Sequence, residues 1–219
     1  MFPFRRHIDF ARNRNVSLKK THRFRSSFGL VFYWREKTNE METSRVHEYP
    51  MYEIIGSGHF AIVVQTKNNL VLKLTTDINE EKFYTHLEAH RVKYILRRVL
   101  TEIVSLDSLT IPESIANDRR WEQFIKNVMR TRKKQILVIV LERLTKTFKD
   151  ISHPRKYKNE LFNIIKDMYR IGVYPPKFHF RNIGLLDDQI KIFDFGHYQL
   201  GRPIKMCDAC VRQKLPTFP

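Results

Sequence analysis

Two glycines and a lysine are spaced in the sequence so that they could bind an anionic group together. Gly56 and Gly58 lie between two apolar runs, and Lys73 lies within the apolar run that follows. Glycine has no Cβ, so a backbone turn built on it can lie close to a phosphate. A lysine on the next strand can pair with the same anion. This spacing predicts a phosphate-binding turn followed by a lysine that neutralises charge.

Polar residues near the end of the sequence could hold a metal ion. Asn182 precedes one strand-like segment, and Asp194 follows the next in the run Asp194-Phe-Gly196. Amide and carboxylate oxygens are hard donors, which magnesium prefers. The alternative explanation for Asp-Phe-Gly is a tight turn that leaves a strand.

The composition limits the classes of protein to which the chain can belong. It has 219 residues, a formal net charge of +17 and 42% hydrophobic residues, which predicts a folded protein with an acidic partner or a charged, solvated surface. Only Cys207 and Cys210 are present, which excludes a disulfide framework and predicts a reducing, cytoplasmic location. A lone Cys-x-x-Cys supplies half of a zinc site, so two free thiols are the favoured interpretation. No apolar run is long enough to span a membrane, and the N-terminus does not resemble a secretory signal.

The residue periodicity predicts the elements that must position these groups. The prediction comprises three strands within residues 50–75, a long helix over 79–106, a helix at Trp121–Met129, a strand at Gln135–Leu141, a helix at Tyr157–Ile171, and a hairpin of Ile183–Leu186 with Gln189–Phe193. A strand-rich half therefore precedes a helical half. The predicted fold class is α+β.

Residues 1–48 differ from the rest and are predicted to form a basic N-terminal extension. Arginines and lysines crowd its first half, and Asp9 is the only acid before Glu36. One interpretation is an arm that binds an acidic host protein or nucleic acid, and the other is a poorly ordered extension.

The glycine turn, the strand lysine and the Asp-Phe-Gly triplet together resemble the protein kinase superfamily. The run Ile55–Val63 is similar to the glycine loop of bacteriophage-encoded early serine/threonine kinases, which also carry Gly-His-Phe. The resemblance covers residues 50–200 and implies a two-lobed fold, with a kinase-like N-lobe at 49–144 and a C-lobe at 145–219. The chain continues from Gly196 only to Pro219, so a truncated C-terminal lobe is expected. A viral origin would place the protein in the host cell.

The resemblance also implies roles for residues of the first lobe. Gly56 and Gly58 would cover the phosphates of ATP, Val63 would line the nucleotide site, and Lys73 would pair with the α- and β-phosphates. The segment that ends in Glu142 and Leu144 resembles the last small-lobe strand and the hinge, whose backbone would bind the adenine edge.

Lys73 needs a carboxylate to orient it, and the sequence offers three in the following helix. Glu81 is the first choice, because Glu81–Leu87 resembles the start of the small-lobe helix. Glu88 lies two turns later on a similar face, and Glu80 is the third candidate.

In the second lobe, Asn182 and Asp194 would be the two magnesium ligands. The position expected for the catalytic aspartate holds Lys177, which carries hydrogen-bond donors only and cannot accept a proton from a substrate. His179, two residues later, is a candidate substitute base. Its alternative role is that of a packed loop histidine.

Three functions remain in competition. We favour a degenerate kinase that binds ATP and Mg²⁺ and acts through a partner. The alternative is an active minimal serine/threonine kinase in which His179 replaces the missing base. The second alternative is a basic nucleic-acid-binding protein, although no known nucleic-acid motif accompanies the charge.

Overall fold

The computed structural model describes residues 21–25, 31–35, 44–130, 134–176 and 179–216. Contacts divide the chain into two units, residues 1–43 and 44–219. In the first unit, β1 (Thr21–Arg25) pairs with β2 (Val31–Arg35) as an antiparallel hairpin. The basic extension predicted over residues 1–48 stays a prediction. The further division at residue 144 stays a prediction.

Residues 44–48 belong to the second unit because they contact its sheet. Val46 is buried, and the Glu102 carboxylate accepts hydrogen bonds from Ser44 Oγ and from the Arg45 backbone at 2.6 and 3.0 Å. These contacts join the segment to a strand more than 50 residues away in sequence.

An antiparallel five-stranded sheet forms the first part of the second unit. Its strands are β3 (Glu53–Ser57), β4 (Ala61–Gln65), β5 (Leu70–Thr75), β6 (Arg98–Ser105) and β7 (Gln135–Glu142). They lie in the order β3-β4-β5-β7-β6. The prediction of three strands within residues 50–75 is confirmed. Asn68 and Asn69 make the turn before β5 with φ of 58° and 55°, a conformation that asparagine tolerates well.

The long helix predicted over 79–106 is wrong in its second half. Helix α1 covers only Glu80–Ala89, and Arg98–Ser105 is the edge strand β6. Arg91 has a φ of 53°, a left-handed conformation that cannot continue a helix. The segment beyond it is rich in valine, isoleucine and threonine, which favour a strand.

The sheet has an apolar cluster on each face. Helices α2 (Glu113–Ala116) and α3 (Arg119–Arg130) cover one face, where Trp121, Phe124 and Val128 pack against β3–β5. Helix α1 lies on the other face with the residues that follow β7. The predicted helix at Trp121–Met129 and the predicted strand at Gln135–Leu141 are both confirmed.

The remaining described residues form short strands and two helices. They are β8 (Lys146–Thr147), α4 (Lys158–Arg170), β9 (Val173–Tyr174), β10 (Ile183–Leu186), β11 (Gln189–Ile192), β12 (Gln199–Leu200) and α5 (Asp208–Arg212). The hairpin β10–β11 turns at Asp187 and Asp188, which have φ of 50° and 59°. The fold is therefore α+β with antiparallel sheets, as predicted. No helix among the described residues is long and apolar enough to cross a bilayer.

Candidate functional site

Lys73 lies at the centre of a buried ionic cluster. Alternation along β5 directs Val71 and Lys73 to the face that carries α1, while Leu72 points to the opposite cluster. The Lys73 Nζ lies 2.6 Å from Glu80 Oε1 and 2.9 Å from Asp194 Oδ1. The side chains of Lys73 and Glu80 are almost fully buried. Residues 121 positions apart in sequence therefore meet at one ammonium group.

The partner of Lys73 on α1 is Glu80, so the prediction of Glu81 is wrong. Glu80 shares its helix face with Phe83, Tyr84 and Leu87, all of which are buried. Glu81 is one residue further, about 100° around the helix, and its side chain lines a surface groove that Lys73 does not line. The second candidate, Glu88, pairs instead with Arg98 at 2.5 Å.

Asp194 lies at the exposed edge of this cluster. Its φ is 67°, in the left-handed region that aspartate adopts more readily than most L-residues. The side chain is 47% exposed, although one oxygen contacts Lys73.

Phe195 fixes the segment that carries Asp194. Its ring is fully buried and meets the Tyr84 ring edge-on, with the centroids 5.1 Å apart. Its backbone N–H also donates to Glu80 Oε1 at 3.3 Å. One carboxylate therefore joins α1, the strand lysine and the Asp-Phe-Gly segment.

Burial and charge act in opposite directions on this cluster. Burial alone would lower the pKa of Lys73, but the carboxylates of Glu80 and Asp194 outweigh it and raise that pKa above the ordinary lysine value. Burial raises the pKa of Glu80, and the Lys73 ammonium opposes that rise. When all three groups are ionised, two carboxylates face one ammonium. The excess negative charge lies towards the exposed oxygen of Asp194, where a cation would be stabilised.

The turn between β3 and β4 is closed by backbone hydrogen bonds. Gly58 N–H donates to the Ala61 carbonyl at 2.8 Å, and the Phe60 carbonyl accepts from Thr76 N–H at 2.9 Å. A Cβ added to Gly58 would lie 3.8 Å from the Ala61 carbonyl, the nearest atom among the described residues outside its two neighbours. The fold itself therefore does not require glycine here.

Gly56 is equally free of close neighbours. A Cβ there would meet Val63 at 3.6 Å, which is ordinary van der Waals contact. Val63 lies opposite Gly56 in the ladder of β3 and β4 and is also paired with Lys73 across β4 and β5. The structure thus brings Gly56, Val63 and Lys73 together on neighbouring strands.

Asn182 lies at the open end of the hairpin β10–β11, where its backbone pairs with the residue that precedes Asp194. Its carbonyl accepts from Phe193 N–H at 3.1 Å, one residue before Asp194. His179 is exposed, and its carbonyl accepts from Asn182 N–H at 3.0 Å. Lys177, predicted to replace a catalytic aspartate, lies outside the described residues.

Several polar groups at the end of β7 and just after it already have hydrogen-bond partners within the protein. The side chain of Glu142 binds Arg97 Nε at 2.8 Å, and its backbone N–H donates to the Arg97 carbonyl. Arg143 N–H and Thr145 N–H also have backbone acceptors, in Asn69 and Leu185. Within the described residues, Leu144 N–H has none. A hydrogen-bond acceptor on the edge of a ligand at this position would therefore be bound by the Leu144 N–H rather than by the Glu142 side chain.

A surface groove of about 890 Å³ lies away from this cluster. Glu81, Glu88 and Glu142 contribute to its lining, together with basic residues such as Arg97. Neither Lys73 nor Asp194 lines it. We place the candidate site at Lys73 because that position combines buried charge with open glycines, whereas Glu88 and Glu142 of the groove are paired with neighbouring arginines.

Glu80 was not chosen first from the sequence as the partner of Lys73, and Asn127 was not identified from it. The choice of Glu80 had a signal, because residues 80, 83, 84 and 87 have the spacing of one helix face. The contact of Asn127 Nδ2 with the His59 carbonyl, at 2.7 Å, had none, because it depends on how α3 packs on the sheet.

Comparison with models of known protein families and with curated proteins gives no match.

Proposed function

We propose that this chain is a kinase-like protein that binds ATP with Mg²⁺ and acts chiefly through a partner, as a degenerate kinase. The observation that carries the proposal is the position of Lys73 Nζ between Glu80 and Asp194, at 2.6 and 2.9 Å. In protein kinases a lysine on the third strand pairs with a glutamate of the following helix, and the Asp-Phe-Gly aspartate binds the metal. The cluster has this chemistry on elements that follow in the same order.

The environment of the two glycines supports phosphate binding. Side-chain space at Gly56 and Gly58 is open, so a phosphate could approach the backbone where a Cβ would otherwise lie. Lys73 would neutralise part of the phosphate charge, and Leu144 N–H would be a donor for the adenine edge.

The oxygens at the open end of the hairpin β10–β11 fit magnesium. Asp194 has an exposed carboxylate oxygen, and the backbone of Asn182 pairs with the residue that precedes Asp194. Two hard donors, with phosphate oxygens and water as further ligands, suit magnesium, which is rarely enclosed by protein alone. When bound, the ion would neutralise phosphate charge.

Phosphoryl transfer is expected to be weak. Lys177 stands where the resemblance requires an aspartate, and an ammonium cannot accept the substrate's proton. A general base contributes roughly a hundred- to ten-thousandfold, so slow transfer could persist on positioning and charge alone. The exposed position of His179 favours the alternative of an active minimal kinase, because an exposed imidazole is accessible to a substrate.

Nucleotide binding is tested by thermal unfolding with and without millimolar MgATP. Wild-type protein should be stabilised by about 2.7 kcal/mol at a ligand concentration 100 times Kd. The ligand-induced shift should disappear in Lys73→Met and in Asp194→Asn, and should persist in Glu81→Gln. If wild type shows no shift, nucleotide binding is refuted.

Transfer is tested with radiolabelled ATP on wild type, Lys177→Asp and His179→Ala. Labelling that is confined to Lys177→Asp supports a degenerate kinase. Strong wild-type labelling that disappears in His179→Ala would instead establish an active kinase with His179 as its base.

A partner of negative charge is proposed for the basic arm, because the chain carries a formal charge of +17. Deletion of residues 1–40 should weaken binding to nucleic acid or to acidic proteins, and added salt should weaken the binding of the full chain. Binding that neither the deletion nor salt affects would exclude an electrostatic role for the arm.

A further inference from the structure

Helix α3 contacts the glycine turn of the candidate site from the side opposite to Lys73. Its apolar face, with Trp121, Phe124 and Val128, packs on the sheet face that also carries Ile62 and Leu72. The helix lies in the segment between β6 and β7, far in sequence from the turn between β3 and β4. It is therefore a separate structural element placed against the turn.

One polar residue of α3 reaches the turn directly. Asn127 is 7% exposed, and its Nδ2 donates to the His59 carbonyl at 2.7 Å. Its Oδ1 accepts from Gln123 Nε2 at 3.3 Å, so both polar ends of the amide are hydrogen-bonded. A buried amide between apolar residues is stable only while such bonds are made.

Successive carbonyls of the turn accept hydrogen bonds, and this bond holds the first of them. The His59 carbonyl is bound by α3, and the next carbonyl, that of Phe60, is bound by Thr76 N–H. Gly56 and Gly58 otherwise give the turn considerable backbone freedom. A turn that is already ordered loses less entropy when a phosphate binds beneath it.

We propose that Asn127 is a positioning residue that fixes the glycine turn in its phosphate-binding conformation, so that α3 controls nucleotide affinity without touching the nucleotide. This inference rests on the proposed function. Loss of the Nδ2 donor should loosen residues 57–61 and weaken MgATP binding about three- to tenfold, the range expected for one hydrogen bond.

The test compares Asn127→Asp and the milder Asn127→Ser with two controls in the full chain. Asp replaces the donor with an oxygen that repels the carbonyl, and Ser is too short to reach it. Gln123→Ala removes the other bond of Asn127 but keeps the donor. Phe124→Leu loosens the packing of α3 without changing the bond to the turn.

Amide hydrogen exchange is measured on residues 57–61 in the nucleotide-free protein, and the Kd for MgATP is measured by calorimetry. We expect faster exchange and weaker binding in both Asn127 variants only. Unchanged exchange at residues 57–61 in a folded Asn127 variant would overturn the proposal, as would an equal loss of affinity in Phe124→Leu.

The two measurements separate this inference from the proposed function. If wild type binds no MgATP, the proposed function fails and the affinity role of Asn127 fails with it. If wild type binds and the Asn127 variants bind equally well, only the positioning role is overturned.

Discussion

Replacement of a glycine of the turn by alanine should raise the stability of the fold but weaken nucleotide binding. An alanine Cβ at position 58 would lie 3.8 Å from the nearest non-adjacent atom, and one at position 56 would lie 3.6 Å from Val63. Neither glycine has a positive φ. Replacement by alanine at such a compatible site stabilises a protein by about 0.4–1 kcal/mol, because it restricts the unfolded chain. We therefore expect Gly58→Ala to raise Tm slightly, by about 1–4 °C.

The same methyl group should impair nucleotide binding. If a phosphate lies against the backbone at Gly58, the added Cβ occupies its space and displaces it from Lys73. We expect MgATP affinity to fall by at least about tenfold, which corresponds to about 1.4 kcal/mol. Calorimetry gives the Kd, and thermal unfolding of the same samples gives Tm.

Gly184→Ala is the matched control for this experiment. Its Cβ would lie 2.9 Å from the Lys146 carbonyl and closer still to the Leu144 side chain, so folding itself should be strongly impaired. The reasoning is refuted if Gly58→Ala binds MgATP as tightly as wild type. It is equally refuted if Gly58→Ala loses as much stability as Gly184→Ala.

Three further predictions concern the ionic cluster and its surroundings. Glu80→Ala should reduce the free energy of unfolding by about 3 kcal/mol, because it breaks a buried ion pair. Glu81→Ala should change the free energy of unfolding by less than about 0.5 kcal/mol. Equal losses for the two variants in urea unfolding would contradict this prediction. Tyr84→Phe should leave the free energy of unfolding unchanged or raise it by up to about 1 kcal/mol, since the buried Tyr84 hydroxyl has no hydrogen-bond partner among the described residues. A clear loss of stability in urea unfolding would show that the hydroxyl does have a hydrogen-bond partner. Because the pKa of Lys73 is raised in the folded state, its stabilisation is complete below about pH 10 and falls as pH rises through that pKa. Wild type should therefore lose stability at alkaline pH more steeply than Lys73→Met, and parallel curves would count against the raised pKa.

The sequence was sufficient for elements with strong local signals. The Asn68-Asn69 and Asp187-Asp188 turns separate strands whose apolar periodicity is clear, and both hairpins form where predicted. It was insufficient beyond Ala89, where apolar residues continue at intervals compatible with either a helix or a strand. The choice there depends on pairing with β7, which is a tertiary contact that local periodicity does not reveal.

The residues of the candidate site were likewise only partly predictable from the sequence. Lys73 and Asp194 could be chosen from their neighbours in sequence, and the structure brings them to 2.9 Å. The choice between Glu80 and Glu81 depended on a helix rotation of one residue, and the buried face of α1 decides it. The role of Asn127 depends on how a distant helix packs on the sheet, so residue spacing could not predict it.

Strand β7 belongs to both apolar clusters, and this dual membership has a consequence for unfolding. Its side chains alternate without interruption, with Leu137, Ile139 and Leu141 in one cluster and Ile136, Val138 and Val140 in the other. Neither cluster can lose its order without exposing one side of this strand to water. The two clusters are therefore thermodynamically coupled through β7, and residues 44–219 should melt in a single cooperative transition. A volume change on one side of β7 would also shift the strand and alter packing on the other, so tolerated substitutions there should occur as compensating pairs across the sheet.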